Sequence, residues 1–288
     1  MRLVTFEHSG KAAVGVRVGE EIVDLSRAAP ELPRDIVGML VAGPGSFDKA
    51  KAAAAKAPAS MRVAAKDAKL LPPLPNPGKI ICLGLNYADH AAESPYEKPD
   101  YPVLFARFTT TLVGHGQPLV RPKCSERFDY EAEMVAIIGK RGRHVPRDKA
   151  LDYVAGYSIF NDASVRDYQL RTPQWTIGKN FDGSGGFGPD FVTADELPAG
   201  GKGLTIECRL NGKVMQHANT NDMIFDVAET ISTITEALTL DPGDLLVMGT
   251  PAGVGFARKP PVFMKDGDVC DVEIEGIGLL RNPIVDER

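Results

Sequence analysis

Residues 128–138 read FDYEAEMVAII. The apolar run from Met134 to Ile138 predicts a β-strand, and Glu131 and Glu133 stand on alternate positions where that run begins. Because side chains alternate across a strand, both carboxylates are predicted to project from one face. Two adjacent carboxylates repel each other and are costly to bury, and a hard divalent cation between them relieves both effects. The stretch therefore indicates a metal site built on a strand.

Asp162 is the predicted third ligand of this site. It follows another apolar segment, residues 157–160, which also predicts a strand. A solvated strand face would explain an isolated Glu-x-Glu pair equally well, but the apolar flanks of the three acids favour a buried site. No histidine or cysteine pattern accompanies these carboxylates, so an oxygen-only site for Mg²⁺ or Mn²⁺ is predicted in preference to zinc.

The composition is that of an ordinary soluble globular protein. The chain has 288 residues, of which 43% are hydrophobic and 25% charged, with a formal net charge of −5. This charge gives no reason to expect a nucleic-acid partner, and no apolar run reaches the length that spans a membrane. The first residues lack the apolar core of a signal peptide and the four cysteines show no pairing pattern, so a cytoplasmic protein with free thiols is expected.

Proline and glycine mark one boundary in the chain. Residues 71–78 read LPPLPNPG and interrupt all hydrophobic periodicity. Residues 72–78 are therefore predicted to link a small N-terminal α/β domain, residues 1–71, to a main catalytic domain, residues 79–288. In the main domain short apolar segments alternate with turn signals, and one long helix is predicted between residues 221 and 240. The sequence thus predicts an α+β fold that is mainly β.

Two further segments have clear patterns. Residues 48–57 are rich in alanine and lysine, which predicts a solvated helix. Residues 268–275 alternate strictly between apolar and polar side chains. This alternation predicts a strand that turns Cys270, Val272 and Ile274 toward the core.

The segment from Asn86 to Glu93 contains a candidate acid–base pair. If the segment is helical, His90 and Glu93 lie on one face, a turn apart. A glutamate bonded to one imidazole nitrogen would fix the tautomer and make the other nitrogen a better base. A helix-surface pair without a role is the alternative. A loop-like stretch follows at residues 94–99, so the segment is also a candidate for a lid that carries a base.

Lys179 precedes a glycine-rich stretch, residues 183–188, that formally matches the dinucleotide-binding motif G-x-G-x-x-G. That motif needs a helix after it, whereas Pro189 and a strand-like run follow here, so NAD binding is rejected. The glycines are expected instead to permit a tight turn or the close approach of a ligand. Lys179 is a candidate for neutralising a substrate carboxylate or an oxyanion, and a solvated lysine is the alternative.

Three other residues are candidates for binding a substrate carboxylate. Thr250 lies in the turn-forming segment 249–255, where its hydroxyl and the backbone amides suit a carboxylate, and an ordinary turn is the alternative. Arg107 and Arg166 offer positive charge for the same purpose, and Arg166 follows Asp162 closely in the sequence. None of these residues has a spacing that assigns its role alone.

Together these segments resemble the fumarylacetoacetate hydrolase family. The matching segments occur in the family's order, at residues 84–93, 128–133, 160–169, 178–182 and 248–254. The resemblance extends over residues 77–288, and the N-terminal residues resemble the variable small domain of many members. It implies a mixed β-sandwich roll, usually a homodimer, around an Mg²⁺ or Mn²⁺ site.

The resemblance also implies roles for individual residues. The metal ligands would be Glu131, Glu133 and Asp162. A dyad on a closing lid and a lysine that stabilises developing negative charge would be the catalytic residues: His90, Glu93 and Lys179. The candidate substrate-binding residues are Arg107, Arg166, Gln169 and Thr250. Members similar to this chain often carry lysine at the position of Arg107, and the two side chains differ in geometry and hydration.

The implied reaction is hydrolysis of a carbon–carbon bond in an acylpyruvate, a 2,4-dioxo acid such as fumarylpyruvate or maleylpyruvate, with release of pyruvate in aromatic or sugar-acid catabolism. The metal would bind the 2-oxo oxygen and the carboxylate, and His90 would activate water for attack on the distal carbonyl. Oxaloacetate decarboxylation, 2-hydroxy-dienoate isomerisation and keto–enol isomerisation use the same metal chemistry and stay open. A non-catalytic 2-oxo-acid-binding protein is a further alternative, which Lys179 and the His90–Glu93 pair disfavour.

Overall fold

The computed structural model describes residues 1–8, 10–89 and 99–288. The strands are β1 (Arg2–His8), β2 (Lys11–Val18), β3 (Glu21–Asp24), β4 (Arg62–Ala64), β5 (Lys69–Leu70), β6 (Ile80–Gly84), β7 (Val103–Ala106), β8 (Leu112–Val113), β9 (Leu119–Arg121), β10 (Phe128–Asp129), β11 (Ala132–Ile138), β12 (Val154–Asp162), β13 (Ser164–Val165), β14 (Gly185–Thr193), β15 (Thr205–Leu210), β16 (Lys213–Asn219), β17 (Leu245–Val247), β18 (Val269–Ile274) and β19 (Gly278–Asp286). The α-helices are α1 (Leu25–Ala28), α2 (Ile36–Ala42), α3 (Pro44–Lys56), α4 (Arg166–Gln169), α5 (Thr176–Lys179) and α6 (Val227–Ala237). Among the described residues, no helix is long and apolar enough to cross a membrane.

A long, curved path of paired strands organises the fold. Its order is β4-β3-β2-β1-β14-β12-β11-β17-β6-β7, with β5 beside β1 and β8 beside β14. A five-stranded sheet, ordered β16-β15-β18-β19-β9, packs against β11, β12 and β14 at the centre of this path. Sheet packed on sheet with a few short helices confirms the predicted α+β, mainly β fold of the mixed sandwich type.

Strand β11 lies in the middle and is buried on both faces. Met134, Ala136 and Ile138 belong to the core between the two sheets, whereas Val135 and Ile137 belong to a second core that includes α2 and α3. Because successive side chains point to opposite faces, a strand buried on both sides needs a continuous apolar run. This requirement explains the run, and the acids at its start lie where the core ends.

The N-terminal residues 1–71 are joined to the main sheet. Strand β1 pairs antiparallel with β14, and Arg2 lies opposite Val192. Helices α1 to α3 and residues of β11 and β17 contribute to one hydrophobic cluster. The linker predicted at residues 72–78 therefore separates two chain segments that share a sheet and a core, because the edge of β14 and the outer face of the central strands need a cover.

Two helices differ from their predictions. Helix α6 begins at Val227, later than predicted, because Asp226 caps it by accepting a hydrogen bond from the N–H of Glu229. Helix α3 contains the alanine- and lysine-rich segment, but it is not simply solvated, because Ala50 and Ala54 are buried in the second core. Strand β18 confirms the predicted inward face, which is formed by Cys270, Val272 and Ile274.

Candidate active site

The carboxylates of Glu131, Glu133 and Asp162 form a buried cluster. One oxygen from each lies within 4.8 Å of the others. Glu133 lies in β11 and Asp162 ends β12, and the register places Glu133 opposite Phe160. Glu131 precedes β11, and its carbonyl accepts a hydrogen bond from the N–H of Asp162 at 2.9 Å. The pairing of β11 with β12 thus brings together acids that are distant in the sequence.

Between β10 and β11, side-chain amides accept hydrogen bonds from backbone N–H groups. Asn161 Oδ1 accepts a hydrogen bond from the N–H of Glu131 at 3.1 Å, and Gln216 Oε1 accepts one from the N–H of Ala132 at 2.9 Å. Gln216 Nε2 also donates to Thr250 Oγ1 at 2.8 Å. A buried N–H without a partner is costly, so these amides stabilise the irregular backbone that carries Glu131.

The ammonium of Lys179 lies between two of the carboxylates. Its Nζ is 2.6 Å from Glu131 Oε2 and 2.6 Å from Asp162 Oδ2. Burial alone would lower the pKa of this lysine, but the charges of Asp162 and Glu131 more than offset that effect, so the pKa is raised and Lys179 stays charged. Trp175, at the start of α5, packs on Gly84, where an added Cβ would lie 2.2 Å from the indole. This close contact holds α5, and hence Lys179, against β6.

Glu133 lies in a region of excess negative charge. Burial, with the carboxylates of Asp162 and Glu131, raises the pKa of Glu133 well above the ordinary range. The N–H of Gly249 donates to Glu133 Oε2 at 2.6 Å. Gly249 has a φ of +87°, a conformation that glycine adopts without strain. The turn after β17 therefore supplies a backbone donor to the cluster.

The donor set fits a hard divalent cation. Within the ranges that the structure describes, Asp129, Glu131 and Asp162 form ion pairs with the buried cations Arg107, Arg166 and Lys179. Glu133 is the fourth buried carboxylate of this group and accepts a hydrogen bond from the N–H of Gly249. Four ionised carboxylates beside three cations leave an excess of buried negative charge, which is costly unless a proton on Glu133 or a further cation compensates it. The cluster offers only carboxylate oxygens, the ligands that Mg²⁺, Mn²⁺ and Ca²⁺ prefer.

Arg107 is fully engaged by protein partners. Its Nη1 forms an ion pair with Asp162 Oδ1 and donates to the carbonyl of Ala163 at 3.2 Å. Its Nη2 donates to Ser184 Oγ at 2.7 Å, and the guanidinium lies over the ring of Phe160. This buried, multiply bonded arrangement orients the Asp162 carboxylate. The predicted contact of Arg107 with a substrate stays a prediction.

Arg166, by contrast, has one N–H group without a hydrogen-bond partner among the described residues. Its Nε donates to Asp129 Oδ2 at 2.7 Å, while Nη1 lies 2.7 Å from Glu131 Oε1 and 2.8 Å from Gln169 Oε1. Burial opposes the charge, but Asp129 and Glu131 raise the pKa of Arg166, so it stays protonated. Its Nη2 is buried and has no partner among the described residues. An unpaired buried N–H is costly, which makes this group a candidate donor to a bound carboxylate.

Of the other predicted site residues, the structure describes Gln169 and Thr250. Gln169 lies in α4 and reaches the cluster through Arg166. Thr250 is buried beside Gly249 in the turn that binds Glu133, with its hydroxyl held by Gln216. His90 and Glu93 lie outside the described residues, so their roles stay predictions.

Sequence reasoning missed Asp129 and Gln216. Asp129 accepts hydrogen bonds from the N–H groups of Gly255 at 2.8 Å and Phe256 at 2.9 Å, and it pairs with Arg166. It stands in the quoted stretch, so the cluster of acids there was a usable signal. Gln216 lies in β16, and no local pattern distinguishes it from other strand residues. Its importance depends on contacts between distant segments.

Comparison with known proteins extends these observations. The family described as "Fumarylacetoacetate (FAA) hydrolase C-terminal" matches residues 79–285. Curated relatives include "Oxaloacetate tautomerase Fahd2a, mitochondrial" of Rattus norvegicus. It is 40% identical over 291 residues, which cover 99% of this chain and 92% of the relative.

Two solved structures are similar over their whole length. Fumarylacetoacetate hydrolase from the psychrophile Exiguobacterium antarcticum has a TM-score of 0.86 and 35% identity, and each chain is covered at 100%. Maleylpyruvate hydrolase from Sphingobium sp. SYK-6, in complex with manganese(II) and pyruvate, has a TM-score of 0.80 and 29% identity, again with 100% coverage of both chains. The likeness therefore includes the N-terminal residues as well as the main sheet.

Proposed function

Because the chain belongs to the fumarylacetoacetate hydrolase family, we propose that it is an enzyme that tautomerises oxaloacetate between its keto and enol forms at the carboxylate cluster. The observation that carries the substrate class is the buried cluster of three carboxylates, beside which Arg166 has a donor with no partner in the described part of the chain. The choice of reaction rests on the relative named an oxaloacetate tautomerase, at 40% identity over 99% of this chain. Keto–enol isomerisation, an alternative from the sequence, thus replaces acylpyruvate hydrolysis as the first candidate.

The cluster would hold Mg²⁺ or Mn²⁺ through Glu131, Glu133 and Asp162. When bound, such a cation supplies Lewis-acid polarisation of the 2-oxo group and so acidifies the neighbouring carbon. Arg166 Nη2 would donate to a substrate carboxylate oxygen, because it is buried and charged and has no partner within the described ranges. Arg107 would keep Asp162 oriented through their ion pair.

The reaction needs a proton to leave C3 of oxaloacetate and a proton to arrive at the oxygen on C2. No carbon–carbon bond breaks and no water is consumed. We assign the base to His90, oriented by Glu93, as a prediction on residues outside the described ranges. Lys179 would stabilise the negative charge that develops on the 2-oxo oxygen, because its ammonium lies among the ligands and stays charged.

The decisive experiment follows the ultraviolet absorbance of enol oxaloacetate after dilution into buffer with the protein. Assays would contain Mg²⁺, Mn²⁺ or EDTA, and pyruvate would be quantified in parallel. Metal-dependent acceleration of ketonisation without pyruvate release is the expected result. The variant Glu133→Gln should lose this acceleration, whereas Glu273→Gln, which changes an exposed carboxylate paired with Arg209, should keep it. Pyruvate formation from oxaloacetate would instead identify a decarboxylase.

Hydrolysis of an acylpyruvate is a second candidate. It is favoured by the maleylpyruvate hydrolase from Sphingobium sp. SYK-6, whose structure with manganese(II) and pyruvate is similar over the whole chain. The test is metal-dependent release of pyruvate from maleylpyruvate and fumarylpyruvate. A kcat/KM for either compound above that for oxaloacetate would make hydrolysis the main activity and overturn the tautomerase assignment.

Partners and compartment also stay proposals. We propose a small 2-oxo acid as the ligand and a homodimer as the assembly, which sedimentation velocity would test. A nucleic-acid partner is not proposed, since the net charge is −5. The compartment was expected to be cytoplasmic, whereas the rat relative is named mitochondrial. Localisation of a tagged chain in its own cell would decide between the two.

A further inference from the structure

The phenol of Tyr87 is a buried hydrogen-bond donor that has no partner among the residues the structure describes. The residue is 1% exposed, and its hydroxyl has no hydrogen bond within the described part of the chain. Phenylalanine would fill the same space without leaving a polar group unpaired, so the hydroxyl is costly where it stands. A buried donor of this kind is a candidate contact for a bound ligand.

The backbone that carries Tyr87 is firmly held. Asn86 Nδ2 donates to the carbonyls of Phe225 at 3.0 Å and Met248 at 2.7 Å, and Asn86 Oδ1 accepts from the N–H of Phe225 at 2.8 Å. Gly249 lies directly against this segment, since a Cβ added there would be 2.7 Å from Asn86 Cβ. The same Gly249 donates its N–H to Glu133. Tyr87 is therefore anchored to the turn that binds one member of the carboxylate cluster.

Two carboxylates influence the pKa of the phenol. Burial first, and then the charges of Glu133 and Asp222, raise the pKa of Tyr87, so the hydroxyl keeps its proton. Asp222 and Tyr87 line a cavity of about 180 Å³ together with Pro251 and Ala252. Tyr87 therefore lines this cavity, and its neighbour Asn86 contacts Gly249, the residue that donates to Glu133. A neutral donor suits such a position, because it offers a proton without adding charge.

We propose that Tyr87 contacts the substrate and donates a hydrogen bond to an oxygen at the 2-oxo-carboxylate end of the acid bound at the cluster. The substrate class in this inference rests on the proposed function. We choose that end of the substrate because Tyr87 follows Asn86, which packs against Gly249, and Gly249 donates its N–H to Glu133 of the cluster. Tyr87 and Arg166 Nη2 would then be two buried donors, one neutral and one charged, that bind the same substrate.

The test compares Tyr87→Phe with Tyr157→Phe in the metal-loaded protein. Tyr157 is a matched control, because it is also buried but its phenol is hydrogen-bonded to the backbone of Gly200. Tyr87→Phe should lower kcat/KM for oxaloacetate by roughly tenfold to a hundredfold, the range expected for one hydrogen bond to a charged acceptor. It should weaken the binding of oxalate, measured by calorimetry with Mn²⁺, by a similar factor. Its melting temperature should be unchanged or higher.

The control should behave in the opposite way. Tyr157→Phe removes a satisfied hydrogen bond, so it should lower the melting temperature and leave turnover and oxalate affinity within about twofold of wild type. Tyr87→Phe with wild-type oxalate affinity and turnover would overturn the proposal. So would a loss of activity explained by lost stability. If wild-type protein binds oxalate but does not tautomerise oxaloacetate, the proposed function fails, and the oxalate titration alone decides the role of Tyr87.

Discussion

At the residue scale, Lys179 has two possible roles, to compensate the buried acids and to stabilise charge on a substrate, and the sequence alone could not distinguish them. It was predicted to stabilise negative charge on a substrate, and its ammonium lies 2.6 Å from oxygens of both Glu131 and Asp162. It therefore compensates the acids even without a substrate. Without Lys179, Glu131 would keep only its pair with Arg166, and Asp162 only its pair with Arg107. The removal of one buried charge from this group is more costly than the loss of an exposed ion pair.

We predict that Lys179→Met lowers the free energy of unfolding of the metal-free protein by about 3–5 kcal/mol. Added Mn²⁺ should restore part of this loss, because it supplies the missing positive charge. Urea unfolding with EDTA and with Mn²⁺ measures both effects. Lys202→Met is the control, since Lys202 is about half exposed and pairs with Asp226, and it should cost less than about 1 kcal/mol. Equal losses in the two variants would contradict the prediction.

At the element scale, the position of α5 depends on a contact between a tryptophan and a glycine. Trp175 packs on Gly84 so closely that any Cβ at that position would overlap the indole at 2.2 Å. The ring of Trp175 also meets Phe105 edge-on, with centroids 5.6 Å apart. These contacts link α5 to β6 and β7. A shift of the helix would move Lys179 out of the carboxylate cluster.

Gly84→Ala is therefore expected to destabilise the protein by about 1–3 kcal/mol, through overpacking. It should also lower turnover more than tenfold, since displacement of a group by about 1 Å is enough to impair catalysis. Gly45→Ala in α3 is the control, because an added Cβ there meets no atom within 4 Å. Alanine favours the helix over glycine by about 1 kcal/mol, so this variant should be neutral or more stable. Urea unfolding and enzyme assays of both variants give the comparison.

The cap of α6 predicts a dependence of stability on pH. Burial opposes ionisation of Asp226, but the N–H of Glu229 and the ammonium of Lys202 outweigh it and lower the pKa of this aspartate. A lowered folded-state pKa contributes stability above the ordinary aspartate pKa of about 3.9, and this contribution disappears as the pH falls through the folded-state value. Asp226→Ala should therefore cost about 1 kcal/mol near neutral pH, and less below about pH 4.

Thermal unfolding of wild type, Asp226→Ala and Asp226→Asn across this pH range tests the prediction. Asparagine keeps an oxygen for the N–H of Glu229 and removes only the charge, so its loss should be smaller than that of alanine. A difference between wild type and Asp226→Ala that stays constant from neutral to acid pH would show that the charge of Asp226 does not contribute.

At the scale of the whole molecule, the N-terminal residues are tied to the catalytic sheet. Strand β1 pairs with β14, and Arg17 Nε lies 2.9 Å from Oδ1 of Asp190 in that strand. Asp190 is buried, so the ion pair is shielded from solvent on one side. Although residues 1–71 were predicted as a separate domain, these contacts lead us to expect a single cooperative unit.

Calorimetry should accordingly show one unfolding transition, with a calorimetric enthalpy equal to the van't Hoff enthalpy. Trp175 is the only tryptophan of the chain and reports on the main sheet by fluorescence. Its transition should coincide with that of far-ultraviolet circular dichroism, which reports on all strands. An earlier transition that leaves the fluorescence unchanged would instead support an independent N-terminal domain.

The sequence by itself determined the features that depend on short-range periodicity. The alternation of Glu131 and Glu133 before an apolar run placed two carboxylates side by side, because side-chain direction along a strand repeats with period two. The apolar segment before Asp162 supplied the third acid. The same periodicity identified β18 and its inward face. Recognition of the family also came from the sequence, since its matching segments follow one another in order along the chain.

Only the tertiary structure decided which charges meet. It brought Lys179 between Glu131 and Asp162, paired Arg107 with Asp162, and left one donor of Arg166 without a partner among the described residues. It also inserted the N-terminal strands into the catalytic sheet. These relations depend on strand register and on packing between segments that are far apart in the chain. Local propensity contains no information about such pairings, because the energy that selects them arises only when the two sheets close on a common core.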